Sequence, residues 1–327
     1  MPSVDPAEAT AVARGDSSAS ASAPPSLFDF QVNGFGGVDF QQDGLTPSQL
    51  LQAVAALARC GTGQIFVTLI SDTIDRLCAR LENLENLRCG EPALRRAIAG
   101  YHLEGPWLSP ETGYCGAHNP GVMQAPSLAA FNRLQAAAAG HIRLITLAPE
   151  CPRSAECIAA ITAAGVHVAL GHTNADERQI DEAIAAGARF CTHLGNAVPA
   201  YLPRHDNVIQ RLLARDELTA CLIPDGVHLP PFVLRNFFRA KPYTRVLFTT
   251  DAMAGAGAGP GRYRLGEYDI VVGTDGIARQ PDGPGFAGST LTPDEGVRRV
   301  ARFLDLPLDE ARRLWSDAPR RAFGLTA

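Results

Sequence analysis

The feature of this sequence that most constrains its fold is a regular alternation of short apolar segments with longer helical patterns. Eight segments have the length of a β-strand and are largely apolar at consecutive positions, as expected for parallel strands buried on both faces. They are Leu27–Val32, Gln64–Leu69, Ala97–His102, Ile142–Leu147, Val166–Gly171, Ala188–His193, Leu218–Ile223 and Arg245–Thr250. Most are followed by a helical pattern, which predicts an α/β fold and, more specifically, a TIM-like (β/α)8 barrel. A doubly wound open sheet is the alternative, but it would not require eight similar units.

The helical patterns lie between and after these strands. They are Pro47–Arg59, Ile74–Leu87, Ser127–Ala138, Ser154–Ala164, Ala175–Ala186, Val208–Ala214, Pro231–Arg239, Pro293–Phe303 and Leu308–Ala322. Capping residues such as Thr46 and Ser127 mark where some of them begin. The stretch from Asp251 to Gly288 interrupts the alternation with a hairpin-like segment, Arg262–Val272 followed by Ile277–Arg279. A long irregular segment in a compact domain usually has a function.

Composition excludes several other classes of protein. The chain has 327 residues, 46% hydrophobic and 19% charged, which is neither fibrous nor wholly disordered composition. Its net charge of −5 without a basic stripe argues against a nucleic-acid partner. No apolar run reaches the roughly 18 residues of a membrane span, so we expect no membrane partner. The eight cysteines form no CxxC pair, so we expect reduced thiols and a cytoplasmic location.

The amino-terminal segment is expected to lie outside the folded domain. Residues 1–26 are rich in Ala and Ser and lack the apolar stretch of a secretory signal. We expect a disordered tail. A cleaved organellar transit peptide is the alternative, which Asp5, Glu8 and Asp16 disfavour. Residues 27–327 would then form the catalytic barrel.

Polar residues cluster at the carboxyl ends of the predicted strands, where a barrel builds its active-site face. Five of the eight histidines belong to this set or to the loop after the third strand. The strand-end residues are Gln31, Asn33, His102, Glu104, His172, His193, Asp225, His228 and Asp251, and the loop histidine is His118.

One carboxylate and two imidazoles from three strands suggest a metal site. Glu104, His172 and His193 make a His2Glu set with open positions for water, although each histidine alone could be a loop residue bonded to backbone. Asp251 is either a capping aspartate or a general base. His102 shares a strand face with Glu104 and is either a second ligand or a residue that supports the ligands. The set predicts a metal-dependent hydrolase type of barrel.

The first strand argues for a single divalent ion. Binuclear barrels commonly use a His-x-His pair there and a bridging carboxylated lysine. This chain has Gln31-Val-Asn33 instead, and its only lysine, Lys241, precedes the eighth strand at the wrong end. Zinc fits the donor set best, but iron, cobalt and manganese accept the same ligands.

These residues lie in segments that resemble the amidohydrolase superfamily and, within it, the N-acetylglucosamine-6-phosphate deacetylase family. The resemblance covers roughly residues 27 to 325. The matching segments are Asp29-Phe-Gln-Val-Asn-Gly34, His102-Leu-Glu-Gly-Pro-Trp-Leu108, Gly116-Ala-His-Asn-Pro120, Thr146-Leu-Ala-Pro-Glu150, Gly171-His-Thr-Asn-Ala175, Thr192-His-Leu-Gly-Asn-Ala197, Pro224-Asp-Gly-Val-His228, Thr250-Asp-Ala252 and Gly288-Ser-Thr-Leu291. The second and third together are specific, whereas any one alone would be weak.

The resemblance implies a role for each matched residue. It implies that Asp251 takes a proton from the attacking water and delivers it to the leaving amine, and that His118 polarises the amide carbonyl. The other implied roles are metal binding for Glu104, His172 and His193, sugar or phosphate binding for Asn196, Ala197 and His228, and a one-metal site for Gln31 and Asn33. Arg204 matches a phosphate-binding arginine that one subunit of a homodimer lends its neighbour; an ordinary surface ion pair is the alternative.

The expected reaction is hydrolysis of the N-acetyl amide of N-acetylglucosamine 6-phosphate to glucosamine 6-phosphate and acetate. The alternatives are an amidohydrolase for another N-acyl amino sugar or another amide, and a catalytically weak sugar-phosphate-binding protein. The chain departs from the family in two respects. We expect a barrel-only member without the family's small β-sandwich, and Gly195, where the family often has a larger residue, is expected to widen the sugar pocket.

Overall fold

Eight parallel strands pair in chain order to form one sheet, as a barrel requires. The computed structural model describes residues 26–281 and 285–325, so the predicted tail up to residue 25 lies outside the described residues. The strands are β1 Leu27–Val32, β2 Thr62–Ile70, β3 Ile98–Glu104, β4 Ile142–Leu147, β5 His167–Leu170, β6 Phe190–Cys191, β7 Thr219–Leu222 and β8 Val246–Phe248. A doubly wound sheet would place its first strand inside the order. Here β1 lies at one end of the order and β8 at the other, which confirms the (β/α)8 barrel.

The helices follow the predicted patterns, with two differences. They are α1 Pro47–Arg59, α2 Ile74–Gly90, α3 Pro92–Ala97, α4 Leu128–Ala137, α5 Ser154–Ala163, α6 Glu177–Ala186, α7 Val208–Leu213, α8 Pro231–Ala240, α9 Pro293–Leu304, α10 Leu308–Arg313 and α11 Asp317–Ala322. Thr46 caps α1 and Ser127 caps α4 as predicted. None of the helices in the described part of the chain combines the length and apolarity that a bilayer span requires.

The two differences concern α3, which has no predicted counterpart, and the last predicted helix. Leu308–Ala322 is not one helix but α10 and α11. Pro319 is compatible with the first turn of a helix but not with its interior, so a new helix has to begin shortly before it. The carbonyl of Trp315, between the two helices, instead accepts the backbone N–H of Phe28 in β1 at 3.0 Å.

The amino end of the barrel interior is filled by an aromatic cluster. The ring of Phe323, just after α11, lies 5.0 to 6.2 Å from those of Phe28, Phe30, Phe66 and Phe190. A barrel filled in this way is a packed core rather than a pore. Its carboxyl end is therefore the one open to a ligand.

The segment after β8 forms a small antiparallel sheet near the carboxyl end of the barrel. Its strands are β9 Gly261–Leu265, β10 Tyr268–Val272 and β11 Ala278–Arg279, close to the predicted hairpin. Leu265 and Ile270 pack with Ile70 at the end of β2 and with Met253 after β8. The sheet is thereby fixed to the barrel by apolar contacts beside the strand ends.

The seam between β1 and β8 is closed chiefly by the buried side chain of Asp29. Its carboxylate accepts the hydroxyls of Thr249 and Thr250 at 2.5 and 2.6 Å and the backbone N–H of Thr250 at 3.3 Å. Further along the seam, the backbone N–H of Asn33 donates to Ala252 at 2.7 Å. Burial raises the pKa of Asp29 to about 6, although these hydrogen bonds act to lower it. The carboxyl is therefore ionised at neutral pH.

We predict that Asp29→Ala lowers the free energy of unfolding by about 3 kcal/mol, because it leaves two hydroxyls and a backbone N–H buried without their acceptor. Thr249→Val is the matched control. It removes one donor and is expected to cost about 1 kcal/mol. Urea unfolding followed by the fluorescence of Trp107 and Trp315, both buried, measures the two values. Equal losses would show that the carboxylate does not hold the seam.

Candidate active site

The residues of the predicted metal site lie at the carboxyl ends of three strands or just after them. Glu104 is the last residue of β3, and His172 and His193 each come two residues after β5 and β6. His172, His193 and Asp251 have positive φ angles of 52°, 28° and 52°. Such left-handed backbone costs about 1–3 kcal/mol at each residue and is concentrated at functional sites. The strands hold this strained backbone in place.

Glu104, His172 and His193 meet as a group that could hold a metal ion. Glu104 Oε1 lies 3.2 Å from His172 Nε2 and 2.9 Å from His193 Nε2. The two Nε2 atoms are 3.0 Å apart. All three residues are at least nine-tenths buried. This is the triad predicted from the sequence.

The hydrogen bonds around the triad fit a bound cation. His172 Nδ1 lies 3.0 Å from the carbonyl oxygen of Tyr114, which can only accept, so in the neutral ring the proton is on Nδ1 and Nε2 keeps its lone pair. That lone pair and the carboxylate oxygen then face each other. A metal-binding imidazole typically donates its other N–H to a carbonyl in this way. The donor set and its support therefore suit a divalent ion.

The charges of the triad stabilise one another. Burial opposes the negative charge of Glu104, but the contacts with the His172 and His193 imidazoles hold its pKa well below the usual value. Burial likewise opposes a charge on His193, but the bond to Glu104 raises its pKa. The carboxyl of Glu104 thus stays ionised in a buried site, and a carboxyl has to be ionised to bind a metal.

Asp251 lies beside the triad and is held by Asn33 across the seam. Asn33 Nδ2 donates to Asp251 Oδ1 at 2.7 Å, which leaves Oδ2 free for another partner. Burial, and next the negative charge of Glu104, raise the pKa of Asp251 to about 7. A carboxyl with a pKa in this range can both accept and release a proton at neutral pH.

His118 brings a third imidazole to the same centre. Its Nε2 lies 3.9 Å from Glu104 Oε2, and its ring meets that of His172 edge to face at 4.4 Å. Its Nδ1 points away from the triad, toward Ser71. Burial, and next the electrostatic effect of the neighbouring His172, lower the pKa of His118 to about 3. The ring is therefore neutral.

Gln31 and His102 occupy different positions around Glu104. Gln31 Nε2 donates to Glu104 Oε1 at 3.1 Å and so supports the triad directly. His102 instead bonds Thr146 at 2.8 Å and Thr68 at 3.3 Å. It is not part of the metal-binding group among the described residues. The geometry therefore favours a supporting position for His102 over that of a second ligand.

A cavity of about 560 Å³ opens at this centre, a size that suits a small molecule. Asn196, Ala197 and His228 line it as expected, together with Phe286. Asn196 Nδ2 is tied to the carbonyl of His193 at 3.0 Å. His228 Nδ1 lies 2.6 Å from Asp225 Oδ2, so the aspartate orients the ring. Sequence reasoning assigned no role to Asp225 or Phe286, although Asp225 is a polar residue after β7.

Arg204 and Lys241 lie away from the reacting centre, whereas Gly195 lines the cavity. Arg204 is exposed and does not line the cavity of its own chain among the described residues. Lys241 donates to the carbonyls of Leu212 and Arg215 and so binds backbone instead of bridging metals. A Cβ at Gly195 would lie 2.8 Å from the Phe237 ring, and φ is +95°. That Gly195 widens the sugar pocket therefore stays a prediction, although a side chain at this position would meet Phe237.

The barrel and its triad define a metal-dependent hydrolase of the amidohydrolase type. No family model matches the chain. The N-acetylglucosamine-6-phosphate deacetylase of Bos taurus is 34% identical over 316 residues, which cover 92% of this chain and 74% of the bovine protein. The N-acetylgalactosamine-6-phosphate deacetylase of Escherichia coli O157:H7 is 30% identical over 301 residues, and this match covers 92% of this chain and 78% of that protein.

A solved structure agrees with these relatives. A mutant N-acetyl-D-glucosamine-6-phosphate deacetylase from Mycobacterium smegmatis, in complex with N-acetyl-D-glucosamine-6-phosphate, matches with a TM-score of 0.84 and 34% identity. The match covers 93% of this chain and 78% of that one. The chain belongs to the N-acetylglucosamine-6-phosphate deacetylase family.

We predict that the wild-type protein binds one zinc ion per chain and that His193→Ala weakens zinc binding by at least about 100-fold, more than the loss of a supporting residue costs. His102→Gln should stay within about tenfold, because its ring bonds threonines. His141→Gln, in a histidine remote from the triad, is the control and should change nothing. Zinc content after dialysis against increasing concentrations of a chelator measures the zinc affinity of the wild type and the three variants. A His102→Gln loss as large as that of His193→Ala would make His102 a ligand.

Proposed function

We propose that this protein hydrolyses the N-acetyl amide of N-acetylglucosamine 6-phosphate to glucosamine 6-phosphate and acetate. The observation that carries this proposal is the convergence of the Glu104, His172 and His193 triad with Asp251 and His118 on one cavity. The relatives supply the substrate class, since the bovine protein is a deacetylase of this sugar phosphate.

We assign the chemistry of the site to its own residues. Asp251 accepts a proton from the attacking water as the water oxygen bonds to the carbonyl carbon. It then delivers that proton to the nitrogen as the carbon–nitrogen bond breaks. His118 donates a hydrogen bond to the carbonyl oxygen while negative charge develops there. A divalent ion held by Glu104, His172 and His193 supplies Lewis acidity at the carbonyl and makes water more acidic.

We assign zinc as the ion, because two imidazoles and a carboxylate suit it well; iron, cobalt and manganese accept the same donors. We assign a single ion, because Gln31 and Asn33 stand where binuclear barrels have their His-x-His pair; Gln31 Nε2 donates to Glu104 Oε1 at 3.1 Å. We place the protein in the cytoplasm, since all eight cysteines are free and thiols stay reduced there.

We assign sugar contacts to Asn196, Ala197 and His228, which line the cavity, and the phosphate to Arg204 of a second copy. Arg204 is exposed on a segment whose Tyr201 is also 95% exposed. Its guanidinium has the planar geometry that binds phosphate through two hydrogen bonds. In a homodimer, the segment would bring Arg204 to the neighbouring cavity.

The substrate prediction is tested by acetate release from zinc-loaded protein. We expect N-acetylglucosamine 6-phosphate to exceed unphosphorylated N-acetylglucosamine by at least about tenfold in kcat/KM, because a phosphate bound by a charged group contributes more than 1.4 kcal/mol. N-acetylgalactosamine 6-phosphate is the matched epimer. Preference for the epimer, or for neither phosphate, would give another N-acyl sugar as substrate. No release from any amide despite bound zinc would favour the binding-protein alternative.

The role of Arg204 across a dimer is tested by subunit complementation. Asp251→Asn should lower kcat by about 10²- to 10⁴-fold, and Arg204→Ala should raise KM for the phosphorylated sugar by about 10- to 100-fold. A mixed dimer of these two variants contains one site with both intact residues. At low substrate, mixing and reassociating the variants should therefore restore up to a quarter of wild-type activity. Arg239→Ala replaces Arg204→Ala in the control. If the mixture of Asp251→Asn and Arg204→Ala proteins is no more active than the two variants assayed separately and added, Arg204 does not act in the neighbouring site.

A further inference from the structure

Ser71, which directly follows β2, contacts the ring of His118 twice. Its backbone N–H donates to His118 Nδ1 at 3.3 Å, and its Oγ lies 2.8 Å from the same nitrogen. Ser71 is 8% exposed and His118 is 6% exposed. The two residues are far apart in the sequence, so the contact is made by the fold.

These contacts determine which nitrogen of His118 carries the proton. A backbone N–H can only donate, so a nitrogen that faces it must accept. Nδ1 of His118 is therefore unprotonated, and the Ser71 hydroxyl can donate to it as well. In a neutral imidazole the proton is then on Nε2. This atom is the one that faces the triad, 3.9 Å from Glu104 Oε2.

The surroundings of Ser71 are shaped to admit its hydroxyl. The Ser71 hydroxyl has one proton and two acceptors within reach, the carbonyl oxygen of Glu104 at 3.3 Å and His118 Nδ1 at 2.8 Å. The proton goes to Nδ1, because that contact is the shorter one and the backbone N–H of Ser71 already requires Nδ1 to accept. A Cβ at Gly105 would lie 2.1 Å from Ser71 Oγ, and Gly105 has φ +90°. Any other residue at 105 would displace the hydroxyl. This glycine provides the space in which Ser71 can reach His118.

We propose that Ser71 is a positioning residue that holds His118 with its proton on Nε2, so that the ring can donate a hydrogen bond to the carbonyl oxygen of the substrate amide. The carbonyl partner rests on the proposed function; the tautomer does not. An imidazole with its proton on Nδ1 would present a lone pair to an oxygen that gains negative charge. It would then oppose the reaction it is placed to assist.

The tautomer is read by nitrogen NMR of protein labelled at the histidine ring nitrogens, with His118→Asn to assign the signals. We expect Nε2–H for His118 in the wild type, both without metal and with zinc. In Ser71→Ala we expect the Nδ1–H form to appear, because only the backbone donor remains. Ser71→Thr, which keeps the hydroxyl, should restore the Nε2–H form. An Nδ1–H ring in the wild type overturns the proposal, and this result needs no variant to fold.

The kinetic test separates positioning from a structural effect. Ser71→Ala should lower kcat about 10- to 100-fold, as losses of supporting residues typically do, with KM changed by less than about threefold. The reason is that the bond to the carbonyl oxygen strengthens in the transition state. Ser71→Thr should recover most of kcat. Ser154→Ala is the matched control, because Ser154 is also buried and its hydroxyl bonds the backbone away from the cavity.

The outcomes separate this proposal from the proposed function. If wild-type protein releases no acetate from any sugar but shows the Nε2–H ring, lost in Ser71→Ala and restored in Ser71→Thr, the function fails and the positioning of His118 by Ser71 stands. If Ser71→Ala keeps both the Nε2–H ring and wild-type kcat, the positioning role fails and the function stands. A slow Ser71→Ala whose tautomer is unchanged also overturns the positioning role.

Discussion

Closure of the barrel between β1 and β8 is the constraint on which the active centre depends. In the described residues these two strands share no continuous ladder, and the carboxylate of Asp29 joins them through the hydroxyls of Thr249 and Thr250. The same seam brings Asn33 from one side against Asp251 from the other. The orientation of the proposed proton acceptor is thus a property of the closure. At the seam itself, the pKa of Asp29 is raised, because the donors around this carboxylate offset only part of the cost of burying its charge.

Much of this arrangement could be predicted from the sequence because it depends on patterns the chain repeats. Consecutive apolar positions predict strands covered on both faces, and the bounds of Leu27–Val32 and Ile142–Leu147 agree with the structure. Parallel strands end at one face of the barrel, so Glu104, His172 and His193 could be expected to meet there. Their convergence within hydrogen-bonding distance depends on the register of neighbouring strands. Apolar periodicity says little about that register, so the distances could not be predicted.

The parts that could not be predicted depend on backbone groups and on packing between distant segments. The carbonyl of Tyr114 orients His172, and the N–H of Ser71 orients His118, but any residue type offers a carbonyl and nearly any an N–H. The small size of Gly195 does not indicate that an added Cβ would lie 2.8 Å from the Phe237 ring. The end of α10 could not be predicted, because the carbonyl of Trp315 accepts a hydrogen bond from Phe28 in β1 and not from a following turn of helix. In each case the deciding partner is remote in sequence.

The charges at the cavity have a consequence for any phosphorylated ligand. Among the described residues that line it, Glu104 and Asp251 are the acidic groups and no lysine or arginine is present. A dianionic sugar phosphate would therefore enter a site with an excess of negative charge, at a cost that a low local dielectric increases. A divalent ion on the triad offsets that charge at the amide end but not at the phosphate. A cation from outside the chain's own cavity would offset it, and the exposed Arg204 is the residue that we propose a second copy supplies.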